Sequence, residues 1–280
     1  MQKLSGRLQA VADFVTAGSR TADIGTDHGF LPIYLIQSGR CPHVIAMDIR
    51  KGPLMRAQEH IAAAGLEAVI QTRLSDGMQE LKKGEADSVV IAGMGGMTVL
   101  HILEEAGHVL PQLEELVLEP QSDPAKVRRY VREHQMYIDK EDLVYDAGKL
   151  YPVLHVVHAQ TIESGEAWEK AEAQMIKSGE AWKRKRREVF LQLQERLAEP
   201  ERVQDLLDRY GEYLICVKHP VLKKLLEREE QRERRILCEL EKGMGEAFGQ
   251  QCVGERFTCR RVEAGMRLEE IRVLTEILVE

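Results

Sequence analysis

The chain has 280 residues, 44% hydrophobic and 30% charged, enough for a full α/β domain plus a smaller second body. A net charge of −7 argues against indiscriminate nucleic-acid binding but leaves room for a local basic groove. No apolar run approaches the ~20 residues of a membrane span, and the five cysteines (Cys41, Cys216, Cys238, Cys252, Cys259) form no Cys-x-x-Cys pair that would signal zinc or a disulfide framework.

The N-terminal Met1-Gln2-Lys3-Leu4-Ser5-Gly6-Arg7 has no apolar leader and runs into a helical pattern, so a cytoplasmic protein with reduced, buried or semi-buried thiols is expected. Strand-like runs follow at 20–24, 43–48, 68–73, 87–92 and 115–119, with amphipathic segments between them. Alternation of this kind predicts crossover connections and a mostly parallel sheet. Two further strands, 136–144 and 150–159, are separated only by the turn Tyr145-Asp146-Ala147-Gly148-Lys149, which predicts an antiparallel hairpin at one edge. The expected fold is therefore α/β, with a Rossmann-like sheet of the class I methyltransferase kind over 1–160.

From about Thr161 the pattern changes to charged helix. Ser164-Gly165-Glu166-Ala167-Trp168 recurs as Ser178-Gly179-Glu180-Ala181-Trp182, two heptads later. Leu222, Leu225, Leu226, Ile236, Leu237 and Leu240, then Ile271, Leu274 and Leu278, recur by threes and fours amid Glu, Arg and Lys. A second, all-helical, coiled-coil-like domain over 161–280 is the reading.

The strongest motif is Ala22-Asp23-Ile24-Gly25-Thr26-Asp27-His28-Gly29-Phe30-Leu31-Pro32, a strand that ends in Asp-x-Gly-x-Asp-x-Gly and passes at once into a helix. A dinucleotide loop would carry Gly-x-Gly-x-x-Gly to admit a pyrophosphate. Here Asp23 and Asp27 would repel phosphate and welcome an ammonium. S-adenosylmethionine, with a carboxylate, an ammonium and a sulfonium but no phosphate, fits that pattern, and no metal is called for. Further on, Asp48 with Ile49 ends the second strand, where a carboxylate can take ribose hydroxyls. Asp76-Gly77 ends the third, where an acid can take the adenine amino group. Ala92-Gly93-Met94 ends the fourth. Singly, an acid or glycine at a strand end is often a cap or turn residue; all four in strand order point to a cofactor cleft.

These segments, with Asp142-Leu143-Val144-Tyr145-Asp146-Ala147-Gly148-Lys149-Leu150-Tyr151-Pro152, Arg209-Tyr210-Gly211-Glu212-Tyr213-Leu214 and His219-Pro220, resemble the bacterial tRNA (adenine-22-N1)-methyltransferases. The resemblance covers essentially the whole chain and implies methyl transfer from S-adenosylmethionine to N1 of an adenine in tRNA. Two departures stand out: Leu118-Glu119-Pro120-Gln121 replaces a common Leu-Gln-Pro-Asn, and Phe30 replaces a frequent Tyr.

On this reading Asp23, Gly25, Asp27, His28, Gly29, Asp48, Ile49, Asp76, Gly77, Ala92, Gly93 and Met94 hold the cofactor. Asp27 and Glu119 offset charge developing on the base. Phe30 stacks on it, beside Gly95 and Gln121. Arg7, Arg128 (with Arg129 and Arg132), Lys183 and Arg184, the last two opening the run through Lys185, Arg186 and Arg187, grip phosphates. For several the plainer alternatives are a helix cap (His28), core packing (Phe30), a solvent-facing acid (Glu119) or a solvated helix face (183–187). Rival readings are a methyltransferase of a small molecule or protein, and a non-catalytic cofactor-binding module. A monomer is expected.

Overall fold

The computed structural model describes residues 1–158, 169–246 and 251–279, with side chains over 1–158, 182–241 and 259–279. It divides into two compact units, Met1–Ile176 and Lys177–Glu280.

In the first unit seven strands form one sheet: β1 (Thr21–Ile24), β2 (Val44–Asp48), β3 (Ile70–Leu74), β4 (Ser88–Met94), β5 (Glu115–Pro120), β6 (Met136–Asp146) and β7 (Lys149–His158), in the order β3-β2-β1-β4-β5-β7-β6. The first five are mutually parallel, and β7 runs antiparallel to both β5 and β6. Each expected strand is present, with ends shifted by at most two residues. β4 continues beyond residue 92 because a bulge between Ala92 and Met94 lets the chain keep pairing to Pro120. The β6–β7 turn places Ala147 at φ 46° and Gly148 at φ 85°, the two positive values a two-residue hairpin turn requires.

Helices α1 (Gly6–Phe14), α2 (Phe30–Gln37), α3 (Lys51–Ala63), α4 (Gly96–Glu105) and α5 (Pro124–Glu133) cover the sheet. Alternate residues feed two cores. Ala22, Ile24, Met47, Val89, Ile91, Leu116 and Leu118 pack with Val99, Leu103, Val127 and Val131 of α4 and α5. Val44, Ala46, Val90 and Val117 pack with Val11, Leu31, Leu35, Ala57 and Ile61 of α1, α2 and α3. With both faces covered, β1 and β2 are buried along their whole length, polar Thr21, Asp23 and Asp48 included.

Helix α6 (Glu169–Leu197) crosses the division between the units, and α7 (Pro200–Tyr210), α8 (Glu212–Cys216), α9 (Pro220–Glu246) and α10 (Gln251–Val279) follow. The first copy of the Ser-Gly-Glu-Ala-Trp repeat lies outside the described residues, and the second falls within α6. α9 and α10 pack along each other, with Leu222, Leu226, Ile271 and Leu274 buried and Arg267 Nη1 3.3 Å from Glu233 Oε1. Val273 and Ile277 of α10 are buried as well. Arg202 and Arg209 both pair with Glu270, which ties α7 to α10. Cys41 and Cys216 are buried, whereas Cys238 and Cys259 lie exposed on helices, a correction to the expectation of buried or semi-buried thiols. Among the described residues no helix is long and apolar enough to cross a membrane.

Candidate functional site

The strand order places β1 beside β4, with the chain leaving β1 toward β2 on one side and β4 toward β5 on the other. Such a reversal opens a crevice at the carboxyl ends of the strands. A cavity of about 560 Å³ lies there. Its volume is within the roughly 300–1,000 Å³ of small-molecule sites.

The loop after β1 forms one wall. The backbone N–H groups of Gly25 and Thr26 both donate to the Met47 carbonyl at 2.8 Å, which turns the chain at once. Gly25 has φ +80°, a backbone conformation that favours glycine, and a Cβ there would sit 2.0 Å from Met94 Cε and force that side chain to shift. His28 at φ 61° and Gly29 at φ 68° then lead into α2.

Asp23, Asp27, Asp48 and Asp76 all line the cavity. Asp23 is buried, and burial, with a further push from Asp48, raises its carboxyl to about 6. Asp48 is also buried, and its Oδ1 accepts the Arg50 N–H at 2.7 Å, which fixes the carboxylate at the end of β2. Asp76 is exposed at the rim of a turn pinned by Ser75, whose hydroxyl donates to the Gly77 carbonyl (2.9 Å) and accepts the Glu80 N–H (3.2 Å). Asp27 is exposed, with Oδ1 3.5 Å from His28 Nε2 and 3.4 Å from Arg56 Nη2. Ile49, 58% exposed, adds an apolar edge beside Asp48.

Arg7 reaches the cavity from α1, whose first turn is capped by the Ser5 hydroxyl accepting the Leu8 N–H. Its Nη1 lies 2.5 Å from Glu119 Oε2, which also accepts the Gly93 N–H at 2.7 Å, a donor freed by the β4 bulge. The Arg7 guanidinium lies 5.3 Å from the centre of the Tyr151 ring, and the Arg7 N–H donates to Asp146. Gln121 completes this side. His28 and Phe30, also on the cavity lining, lie nearly parallel, ring centres 5.2 Å apart. His60 of α3 stacks on both.

Of the residues singled out from sequence, Arg7, Asp23, Gly25, Asp27, His28, Phe30, Asp48, Ile49, Asp76, Gly77, Ala92, Gly93, Met94 and Gln121 meet at this cavity. Gly29 and Gly95 cap α2 and α4 beside it without lining it. Glu119 has no exposed surface and does not line the cavity; neither the solvent-facing reading nor a direct touch on a base matches that position. Burial pushes its carboxyl pKa up, against the opposing pull of Arg7 and the Gly93 N–H. Arg128 is buried with Nη2 2.6 Å from Glu141 Oε1, which removes it from the cations a phosphate would meet. Lys183 and Arg184 lie exposed on α6 in the second unit.

Sequence reasoning passed over Thr98, His101 and Ile102, which line the cavity from one face of α4. Their i, i+3, i+4 spacing behind Gly95-Gly96 was the available signal. It also passed over Leu8, Arg50, Arg56 and His60. Among the described residues no group of three or more His, Cys, Asp or Glu is arranged to hold a metal ion.

The family described as "Methyltransferase domain" matches residues 4–154. The chain belongs to that family. The Bacillus subtilis tRNA (adenine(22)-N(1))-methyltransferase is 38% identical over 152 residues, 54% of this chain and 64% of that protein, so the match spans just under two thirds of that relative's length. The crystal structure of the B. subtilis m1A22 tRNA methyltransferase superposes with a TM-score of 0.71 at 25% identity, covering 99% of this chain and 100% of that one. An uncharacterized Listeria monocytogenes protein reaches a TM-score of 0.76 at 22% identity, over 98% and 100% of the two chains. It speaks to the fold alone.

Proposed function

We propose that this methyltransferase-family chain transfers a methyl group from S-adenosylmethionine to N1 of an adenine in tRNA, at position 22 as in its B. subtilis relative. The observation that carries the reading is the convergence of Asp23, Asp27, Asp48 and Asp76 on one cavity at the ends of β1 to β3.

The donor set fits the cofactor. Among the described residues no lysine lines the cavity, and four carboxylates would oppose a pyrophosphate while favouring a cationic nucleoside. Asp23 and Asp27, with the Gly25 turn, would take the ammonium end. Asp48 would accept the ribose hydroxyls. Asp76, with Ile49, Gly77, Ala92 and Met94 around it, would hold the adenine. Once bound, the sulfonium supplies an electrophilic methyl group.

On the acceptor side, Phe30, Arg7 and Gln121 would frame the target base. N1 lies on the Watson–Crick edge, so the base must leave its stack to reach the cavity. N1 already carries a lone pair at neutral pH, so what these residues contribute is alignment, worth up to about 7–11 kcal/mol in well-oriented systems. Methylation leaves a cation, and Asp27 is the acid on the cavity wall that would offset it. Glu119 acts at one remove, by holding Arg7. The helical region 161–280 would form the tRNA-contacting arm, with Lys183, Arg184, Lys185 and Arg187, all exposed, toward phosphates. A monomer working in the cytoplasm completes the reading.

The test is transfer of tritium from labelled S-adenosylmethionine to bulk tRNA or to protein extract, followed by primer-extension mapping of the modified position. Label in tRNA with a stop at an adenine supports the proposal. Label confined to protein overturns it.

A further inference from the structure

We infer that His60 is a positioning residue for the acceptor base, acting through the two cavity-lining rings of His28 and Phe30. The inference rests on the tRNA adenine reading above and adds a residue outside the cavity to it.

His60 lies on α3, 32 residues from His28, and does not line the cavity. Its Nδ1 lies 2.8 Å from the His28 carbonyl oxygen. A carbonyl can only accept, so Nδ1 carries the proton and donates. The His60 ring is 5.2 Å from that of Phe30 at 15° and 5.6 Å from that of His28 at 21°. One imidazole thus holds the backbone of the first ring-bearing residue and packs against both rings.

The hydrogen bond falls where the chain needs it. His28 sits at φ 61°, in the left-handed region that non-glycine residues seldom occupy. Such a conformation persists when its surroundings over-determine it. The same turn of α3 supplies the neighbouring restraints: Arg56 reaches Asp27 at 3.4 Å, and Ala57 packs so closely that a Cβ on Gly29 would stand 3.2 Å from its own. Residues 56, 57 and 60 share one helix face, and together they hold loop residues 27 to 29. The consequence for the site is a braced pair of nearly parallel rings, 11° apart, on the lining of an acid-lined cavity. A flat base docking on that pair meets a surface already in place.

The experiment uses the full chain and three variants, H60A, H60F (ring without donor) and H60Q (donor without ring). Steady-state methylation of a tRNA transcript is measured with binding of S-adenosylhomocysteine by calorimetry, thermal melting, and fluorescence of a transcript carrying 2-aminopurine at the methylated position. H60A should lower kcat roughly 10- to 100-fold, in line with the cost of small misplacements near a reacting centre. It should also reduce the 2-aminopurine signal on binding, while lowering S-adenosylhomocysteine affinity by a smaller factor than kcat. H60F and H60Q should each recover part of the loss. A role in stability alone would move the melting temperature without moving the fluorescence. Unchanged kcat and fluorescence in the variants, with an active parent, overturn the inference by itself; if H60A does not fold, H60F and H60Q decide it. A parent inactive on every tRNA overturns the functional reading, and this inference with it.

Discussion

Arg7 and Glu119, 112 residues apart in sequence, meet with Nη1 2.5 Å from Oε2, the arginine on one wall of the cavity and the carboxylate behind it. Glu119 is fully buried while the Arg7 side chain keeps 20% of its surface, so the carboxylate depends on the arginine more than the reverse. Removing the arginine leaves a buried charge without its partner, which in buried pairs costs about 3–5 kcal/mol and less where one partner is partly exposed.

R7A should therefore lower the thermal midpoint by several degrees, and R7A/E119Q should recover much of the loss. Because burial already raises the Glu119 carboxyl pKa, and Arg7 opposes that rise, the R7A deficit should shrink as pH falls from 7 to 5 and Glu119 takes a proton. Calorimetric scans of the four proteins of the cycle at both pH values check this. A deficit independent of pH would place the energy in packing around Arg7 and not in its charge.

His155 gives a second pH dependence, at the far end of β5. Burial alone would lower its pKa, but Asp139 on Nδ1 (2.5 Å) and Glu115 on Nε2 (2.6 Å) raise it from 6.5 to about 9. A raised histidine stabilises the fold fully below its unfolded value and loses that contribution as pH rises through the folded one. Stability should thus decline between about pH 6.5 and 9, by at most about 3 kcal/mol. Urea melts across that range should show the decline in the parent protein and a flatter profile in H155Q.

Asp48 tests the cofactor assignment. D48A should weaken S-adenosylhomocysteine binding by about 10- to 100-fold, the range of hydrogen bonds to a charged group, with tRNA affinity nearly intact. Calorimetry for the first and filter binding for the second separate the two. Equal losses in both would mean that Asp48 does not face the ribose.

The exposed cations of α6 test the arm. Reversing Lys183, Arg184, Lys185 and Arg187 to glutamate should weaken tRNA binding and lower the slope of log affinity against log salt by about one for each phosphate no longer neutralised. An unchanged slope would mean that other cations grip the RNA backbone. Arg186 is left out because it pairs with Glu212.

The parts of this protein that were legible from sequence are those set by local grammar. The Asp23-to-Pro32 loop, Asp48, Asp76-Gly77 and Ala92-Gly93-Met94 each sit where a strand ends, and the parallel order of β1 to β4 brings such ends together whatever the intervening chain does. The misses are long-range. Glu119 read as a strand-end acid because nothing local reveals that α1 swings Arg7 onto it. Arg128 read as a cation for phosphate, although it lies among Val127 and Val131 on the buried face of α5, where only the pairing of β6 with β7 brings Glu141 to meet it. Arg56 and His60 of α3 were passed over altogether. Their partners lie in a loop that precedes them by about thirty residues.

The wall that Arg7 provides has a consequence for biogenesis. Its grip depends on Asp146 and Tyr151 of the β6–β7 hairpin as well as on Glu119. A nascent chain emerging N-terminus first thus carries the nucleoside-facing half of the cleft early, yet cannot finish the opposite flank until the hairpin leaves the ribosome. Ribosome-stalled chains ending before that hairpin should be half-built clefts whose first helix lacks its Asp146 and Tyr151 contacts.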